Sequence, residues 1–544
     1  MCRNDGVKYL SERFHSYLAP GFLFLIFFLT ECWINPIGNF PLNDDWVYVR
    51  VLRSLHEHHY IDTRFWGGAA MLSHILYGEL FVTLFGFSIT ILRIATLVSA
   101  FIGLIFLYRL LREFAGCSNR NAMFGTFILL FNPLFLSLAN TYMTDVPFVS
   151  MLIIGLYAYL RYENGSSRYS WVLAVFCFTA AILSRQLSLA LVAAVGLYGF
   201  IQHRLRKPVL FLPVIVPIVS LGIFEYWHRH QEGSHISAGY SYIFYSVEHS
   251  DSLLFLKSFT VQLCKRWTHV TSITGFVCFP LLIPYLFSFL RKRHDDKIKT
   301  ILISLPFLLL VGVSMVHFPL GNYLYNTGIG ADTLAPPGTL PGPEDASAFF
   351  PAMLILAFLG AWGGLLFLTH QVLRFLSHTK KTGALLFIML VCFLFYYLAI
   401  CLSNALFDRY FLFFGVFIIP CMMISAESDV NYKFALPLII LMAFFSANGT
   451  KDYLQKNRQR WEAIDFLKTR IGASDAQISA GYEHEGLFFG ETSKWFDKWK
   501  NEPAAIYLVS AKRNDGYQVL KTFPYQRFIP YTTDTIFVLK RHAL

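Results

Sequence analysis

Apolar residues gather into long runs separated by short polar loops. Thirteen runs read as helices that cross a bilayer: 18–34, 89–111, 121–138, 146–160, 169–183, 187–201, 209–226, 270–290, 298–316, 349–373, 383–402, 410–425 and 434–446. A full crossing takes about 20 residues, so the fourth to sixth and the thirteenth are short for the task. One further stretch, 69–87, is interrupted by His74, Gly78 and Glu79 and reads as an amphipathic helix lying at the interface. Past residue 446 the pattern changes. Residues 452–470 place Trp461, Ile464 and Leu467 on one helical face, and 504–510 and 535–540 read as strands. The expected organisation is a membrane domain over 1–447, with 35–88 as its first outer loop, and a small α/β domain over 448–544. No internal repeat of the transporter type is visible.

Loop charge orients the chain. With the N-terminus inside, the inner loops carry Arg109, Arg112, Arg120, Arg161, Arg168, Arg204, Arg206, Lys207, Arg291, Lys292, Arg293, Lys297, Lys299, Arg374, Lys380 and Lys381. The outer segments 139–144 and 316–348 then hold no Lys or Arg, as the positive-inside rule requires. Thirteen crossings put the C-terminal domain outside. The third outer segment contains the Pro/Gly stretch APPGTLPGPED, which reads as irregular.

Composition agrees with this class and removes others. Of 544 residues, 55% are hydrophobic and 15% charged, against about 25% charged in soluble domains. Mean hydropathy is +0.50. A cytosolic enzyme, a disordered chain and a disulfide-stapled secreted domain are all excluded. The net charge of +11 belongs to inner loops facing anionic headgroups and implies no nucleic-acid partner. Nine cysteines without a CxxC pair read as small hydrophobes. The first apolar run lacks a small-residue cleavage site and reads as a retained helix.

The chemistry-bearing residues stand at outer helix ends. Asp44 and Asp45, in NDDW, follow the first run, and Asp145, in YMTDVP, follows the third. An interfacial carboxylate is costly unless solvated, paired or functional. The plain alternatives are a solvated loop acid or an N-cap of the helix over 45–59 for the pair, and for the fourth run a cap by Thr144 or Asp145, with Pro147 in its first turn. His74, Glu79 and Glu225 are possible cavity-lining residues. His56, His58, His59, His228, His230 and His235 cluster in outer loops, at spacings that fit no standard metal site. Two sequons begin at Asn164 and Asn448.

The order of these features resembles a family. An acidic pair follows the first span. Then come interfacial helices, a second span with Arg near its start (TILRIATLVSAFIGLIFLYRLLREF), NPLFLSLANTYMTDVPFVSMLIIGLYAYLRYE and WVLAVFCFTAAILSRQ, with DRYF much later. This is similar to the GT-C superfamily of polyprenyl-phosphate-sugar glycosyltransferases, on the branch of lipid A aminoarabinose transferase and the RgtA/B/C/D-like enzymes, with protein O-mannosyltransferases more distant. The clear resemblance covers about 18–186. It implies an all-α polytopic membrane protein of GT-C fold with about 13 transmembrane helices, interfacial helices in the first outer loop and a small C-terminal α/β outer-face domain. It also implies a plasma (inner) membrane location with the site on the periplasmic side.

By the same resemblance Asp44 matches the expected catalytic base, Asp45 its partner and Asp145 the acid of the second outer loop. Arg185 stands where many relatives carry Lys, and DRYF resembles the family's RY. The donor would be a polyprenyl-phosphate sugar and the acceptor a hydroxyl on a lipid, glycan or protein. Departure of a lipid phosphate wants cations, and Arg185 and Arg409 are placed to bind it. A divalent Mg or Mn ion on Asp44 and Asp145 is a further possibility. Two other readings compete: a carrier or flippase for a lipid-linked sugar, which wants mid-membrane acids or broken helices, and an O-antigen-type polymerase or ligase, which wants Arg and His in a large outer loop.

Overall fold

The computed structural model describes residues 3–63, 70–203, 208–231, 252–291, 296–315, 318–331, 333–334, 347, 349–377, 383–403, 406–425, 431–489 and 505–542. The Pro/Gly stretch, Arg64, His235, Arg204, Arg206, Lys207, Lys292, Arg293, Lys380 and Lys381 lie outside them.

Every one of the thirteen apolar runs falls on helix. In chain order the helices are α1 (Arg3–Ile34), α2 (Asp45–His58), α3 (Leu72–Phe85), α4 (Ile89–Glu113), α5 (Asn119–Leu130), α6 (Pro133–Ala139), α7 (Asp145–Glu163), α8 (Ser170–Ser184), α9 (Leu189–His203), α10 (Leu212–Arg229), α11 (Ser252–Val277), α12 (Phe279–Arg291), α13 (Lys297–Ser314), α14 (Phe350–Ser377), α15 (Ala384–Cys401), α16 (Leu412–Ser425), α17 (Tyr432–Phe466) and α18 (Tyr482–Phe489). Among the described residues six helices are long and apolar enough to cross a membrane, or up to eight if each of two bent pairs is one span. Helices such as α8 and α9, at 15 residues each, fall below the length of a full crossing. Side chains including Phe24, Leu29, Ile223, Ile298 and Val313 are half or more exposed on helix surfaces, as a lipid-facing wall requires.

Three expected spans differ in detail. The third breaks by 65° between α5 and α6, where Asn132 caps the second piece through Leu134 N and Phe135 N and Pro133 takes its first turn. The eighth does not run straight through 270–290. It begins earlier, in α11, and turns by 97° at Cys278 into α12. Around this bend α11 meets α14 backbone to backbone. A Cβ on Gly275 would lie 2.4 Å from Ala361 N, so only glycine allows the approach. The thirteenth does not end at 446. It continues unbroken as the 35-residue α17, whose C-terminal part is the helix expected from 452. Asn448 is buried inside it and accepts a hydrogen bond from Trp33 Nε1 at 3.1 Å, so that sequon is locked in helix.

The C-terminal strands form one sheet of order β3-β4-β6-β5, from β3 (Ile478–Ser479), β4 (Tyr507–Ser510), β5 (Tyr517–Phe528) and β6 (Tyr531–Arg541); the short pair β1 (Leu324–Tyr325) and β2 (Gly328–Ile329) stands apart. Asp452 on α17 takes Phe528 N and Ile529 N at 2.8 and 2.9 Å, which ties the sheet to the helix that leaves the membrane body. Most of the described cysteines are buried as expected; Cys32 and Cys264 are exposed.

Candidate active site

The segment between α1 and α2 is folded around Arg93, near the start of α4. Its guanidinium is fully buried and donates to the carbonyls of Pro36 and Phe40 at 2.5 and 3.0 Å. Asn43 then turns the chain with φ 53, a conformation asparagine tolerates better than most residues. That turn separates the two acids. Asp45 faces inward, fully buried, and accepts Leu42 N at 3.2 Å. Burial pushes its carboxyl up to about 7, against the opposing pull of backbone N–H groups and Arg93. Asp44 faces the other way. Its side chain makes no helix cap. One oxygen accepts from Arg409 Nη2 at 2.9 Å and the other from the Tyr482 hydroxyl at 2.7 Å.

Asp145 opens α7 and Arg185 ends α8, and the helices lie side by side. Their side chains pair at 2.6 Å, and Arg185 also reaches Thr144 Oγ1 at 3.4 Å. Asp145 is therefore a buried ion-pair partner, and Arg185 a buried cation that does not snorkel. Tyr410 joins the two pairs: the Arg185 and Arg409 guanidinium carbons lie 5.1 and 5.8 Å from its ring centre. Tyr48, on the buried face of α2, feels the charges of Asp44, Arg409, Arg185 and Asp145, and burial raises its phenol above the ordinary range. Four of the charged residues singled out in the sequence, Asp44, Asp145, Arg185 and Arg409, thus share one buried junction.

Arg409 does not pair with its neighbour. Asp408 turns back to accept Asn322 N, Tyr323 N and Leu324 N at 3.3, 2.8 and 2.6 Å, anchoring the segment that carries β1 and β2. That leaves Arg409 free to face Asp44, and its Nε and Nη1 find no hydrogen-bond partner among the described residues. Burial disfavours the Arg409 charge, but Asp44 and Asp145 outweigh it and hold its pKa well above the ordinary value.

The remaining candidates scatter. His74 is buried between Tyr48 and Tyr142, with Nε2 against Tyr142 O at 3.1 Å; burial lowers it to about 4, so it stays neutral. Glu79 pairs with His56 at 3.0 Å and Glu225 takes Gln186 Nε2 at 3.3 Å; neither touches the junction's acids. Among the described residues no group of three His, Cys, Asp or Glu side chains is arranged to hold a metal. Asp44 and Asp145 each sit on an arginine. Tyr482 was missed by sequence reasoning. Its only signal is an acidic YEHE run after Gly481.

Residues 70–227 match the family described as dolichyl-phosphate-mannose-protein mannosyltransferase. Among curated proteins no match is found. Solved structures with similarity include the Saccharomyces cerevisiae protein O-mannosyltransferase Pmt1-Pmt2 complex bound to the sugar donor (14% identity, TM-score 0.34), where the match takes 43% of this chain and spans only 35% of the yeast chain. ArnT from Cupriavidus metallidurans bound to undecaprenyl phosphate is 13% identical, with 95% of this chain and 97% of that one covered and a TM-score of 0.41. The oligosaccharyltransferase AglB from Archaeoglobus fulgidus, in complex with an inhibitory peptide and a dolichol-phosphate, is 14% identical over 92% and 70%, with a TM-score of 0.43. The family match lies across the segment that supplies Asp145 and Arg185, and over that segment, as in the motif order quoted above, the chain is similar to the GT-C polyprenyl-phosphate-sugar glycosyltransferases.

Proposed function

We propose that this enzyme works at the outer face of the plasma (inner) membrane, moving a sugar from a polyprenyl phosphate to an acceptor hydroxyl with inversion at the anomeric carbon. One observation carries the reading: two carboxylates from distant parts of the chain meet two buried arginines, and one arginine, Arg409, has two nitrogens, Nε and Nη1, without a hydrogen-bond partner among the described residues. The donor phosphate competes for Arg409, and the arginine leaves Asp44 Oδ2 as it turns to the phosphate. That oxygen becomes the base. The acceptor proton passes to Asp44, the acceptor oxygen bonds to the anomeric carbon, and the carbon–oxygen bond to the phosphate breaks with its electron pair on the departing polyprenyl phosphate. Inversion follows from a single displacement, by analogy with inverting hydrolases. Asp145 holds Arg185 beside the same phosphate, and Asp45 staples the turn that presents Asp44. The proton step uses only the chain's own carboxylate.

The outer orientation is supported by placement. Arg109, Arg112 and Arg161 lie at the far ends of α4 and α7 from Arg93 and Asp145. Reporter fusions at Arg168 and Lys299 should read cytoplasmic, and fusions after Asp515 external. An internal C-terminus overturns the orientation. The test of function is a panel of polyprenyl-phosphate sugars offered to the purified protein. The true donor raises its melting temperature and yields product of opposite anomeric configuration.

The carrier reading is favoured by the two broken helices. Their breaks meet near Gly415, whose Cβ position lies 3.4 Å from Asn132 Nδ2 and 3.5 Å from Cys278 Sγ. These groups are uncharged, whereas coupling sites want ionisable ones. Transport of labelled donor lipid across vesicles by the Asp44→Asn protein would favour the carrier.

A further inference from the structure

We infer that Tyr482, supplied by the C-terminal α/β unit, is the positioning residue for the Asp44 carboxylate: its hydroxyl fixes one oxygen so that the other meets the acceptor. This rests on the reading of Asp44 as the base.

The contact is built from both sides. The Tyr482 hydroxyl reaches Asp44 Oδ1 at 2.7 Å. Burial raises the phenol well above its ordinary range, so it remains a donor. The start of α18 is held in place by three other segments. Tyr482 N donates to Thr333 O at 2.9 Å. Glu483 accepts Asn43 N at 2.8 Å and Thr333 Oγ1 at 2.7 Å, and pairs with Arg460 at 2.7 Å. Arg460 in turn grips Ala480 O through two nitrogens, at 2.8 and 2.6 Å. On the other face Trp46, next to the acid pair, packs on the Tyr482 ring at 6.0 Å. A Cβ on Gly486 would lie 2.3 Å from the Trp46 ring, so glycine is what lets α18 come this close. Glu483 holds the backbone of Asn43 while Tyr482 holds the side chain of Asp44. The pair reads as a clamp on the acid-bearing turn.

The chemical reason is asymmetry. A carboxylate that can rotate offers either oxygen in either plane, and a base must present one lone pair to one hydroxyl. Arg409 cannot supply that restraint if it moves to the donor phosphate. Tyr482 can, because its hydrogen bond is to the other oxygen. The groups that face Asp44 are Arg409 from the start of the DRYF turn, Tyr48 and Asp45 from α2, and Tyr482, with Asp145 and Arg185 behind Arg409. Among them Tyr482 is a neutral donor bonded directly to Asp44.

The test uses the full chain in lipid nanodiscs. The infrared difference between parent and Asp44→Asn isolates the Asp44 carboxylate stretch. Tyr482→Phe keeps the ring on Trp46 and should move that band, as loss of a hydrogen bond does. With the polyprenyl-phosphate sugar selected by the melting panel, kcat should fall about tenfold and the KM for donor should stay. Replacing Tyr482 by 3-fluorotyrosine, a stronger donor of the same shape, should move the band the opposite way, and it serves if Tyr482→Phe fails to fold. An unmoved band, with Asp44→Asn inactive, overturns the positioning role alone. A fully active Asp44→Asn enzyme overturns the base assignment, and with it this inference, whatever the band does.

Discussion

The two acid–arginine pairs look alike in geometry and differ in how the chain makes them. Asp145 and Arg185 are 40 residues apart, on adjoining helices within one segment. Asp44 and Arg409 are 365 residues apart, and Tyr482, on the same carboxylate, is 438 residues from Asp44. The first pair forms as soon as a helical hairpin packs. The second exists only when the α1–α2 segment, the late DRYF turn and the C-terminal unit have all arrived. A buried ion pair gives little net stability, because desolvation cancels much of the attraction, so neither pair is explained as a fastener. The local pair has the character of a fixed fixture. The assembled pair has unused N–H groups and is the one a phosphate can open.

That contrast is broken or kept by the largest effect first. Asp44→Asn is nearly isosteric and should fold, yet its transfer rate should fall by about two to four orders of magnitude, the usual scale for a lost general base. Asp145→Asn should lose less, since Arg185 still faces the phosphate. Steady-state rates at saturating donor decide it; the reverse ranking would make Asp145 the base.

Next come the arginines. Arg409→Ala and Arg185→Ala should each weaken donor binding by about tenfold to a hundredfold, the value of a charge-assisted hydrogen bond or two. Arg409→Ala should be the worse, because that guanidinium carries the unused donors. Arg185→Lys should recover part of the loss, with the bidentate option gone. Titration of the lipid donor against each variant gives the order, and parental affinity in both Ala variants would move the phosphate site off this junction.

What the sequence allowed one to read follows the same division. Asp44, Asp145, Arg185 and Arg409 stood out because a charge at the end of an apolar helix needs a reason. The helices stood out because their apolar runs are long. The partner of each charge did not stand out. Adjacent charges suggest an Asp408–Arg409 pair, but three backbone N–H groups take Asp408, a demand set by a loop some 85 residues away. Tyr482 is one of 29 tyrosines, and nothing local marks it. β5 escaped notice because Pro524 and scattered charges break its alternation, which an edge strand tolerates. The break at Asn132-Pro133 carries a cap-and-proline signature. The sharper turn at Cys278 depends on how closely α11 meets α14 through glycine, which periodicity does not register.

The smallest expected effect separates the two halves of the acidic pair. Asp44 meets a cation and a phenol, whereas Asp45 is buried against backbone and its carboxyl is raised by that burial to about 7 from an ordinary 3.8. A carboxyl raised on folding binds its proton more tightly folded than unfolded. Between about pH 4 and pH 7 the folded state therefore holds more protons than the unfolded chain, and stability falls as pH rises through that window. Below it the contribution is intact; above it the loss is complete. Asparagine at 45 resembles the protonated acid, still accepts Leu42 N and carries no charge to bury. Asp45→Asn should match the parent melting temperature near pH 4 and exceed it by about 1–3 °C at pH 8, a modest shift for a chain of this size. Transfer at pH 7 should change far less than in Asp44→Asn. Melting curves of both proteins across that range provide the check. Parallel curves would mean that Asp45 is ionised in the fold and compensated by Arg93, and would make the two acids of the pair alike after all.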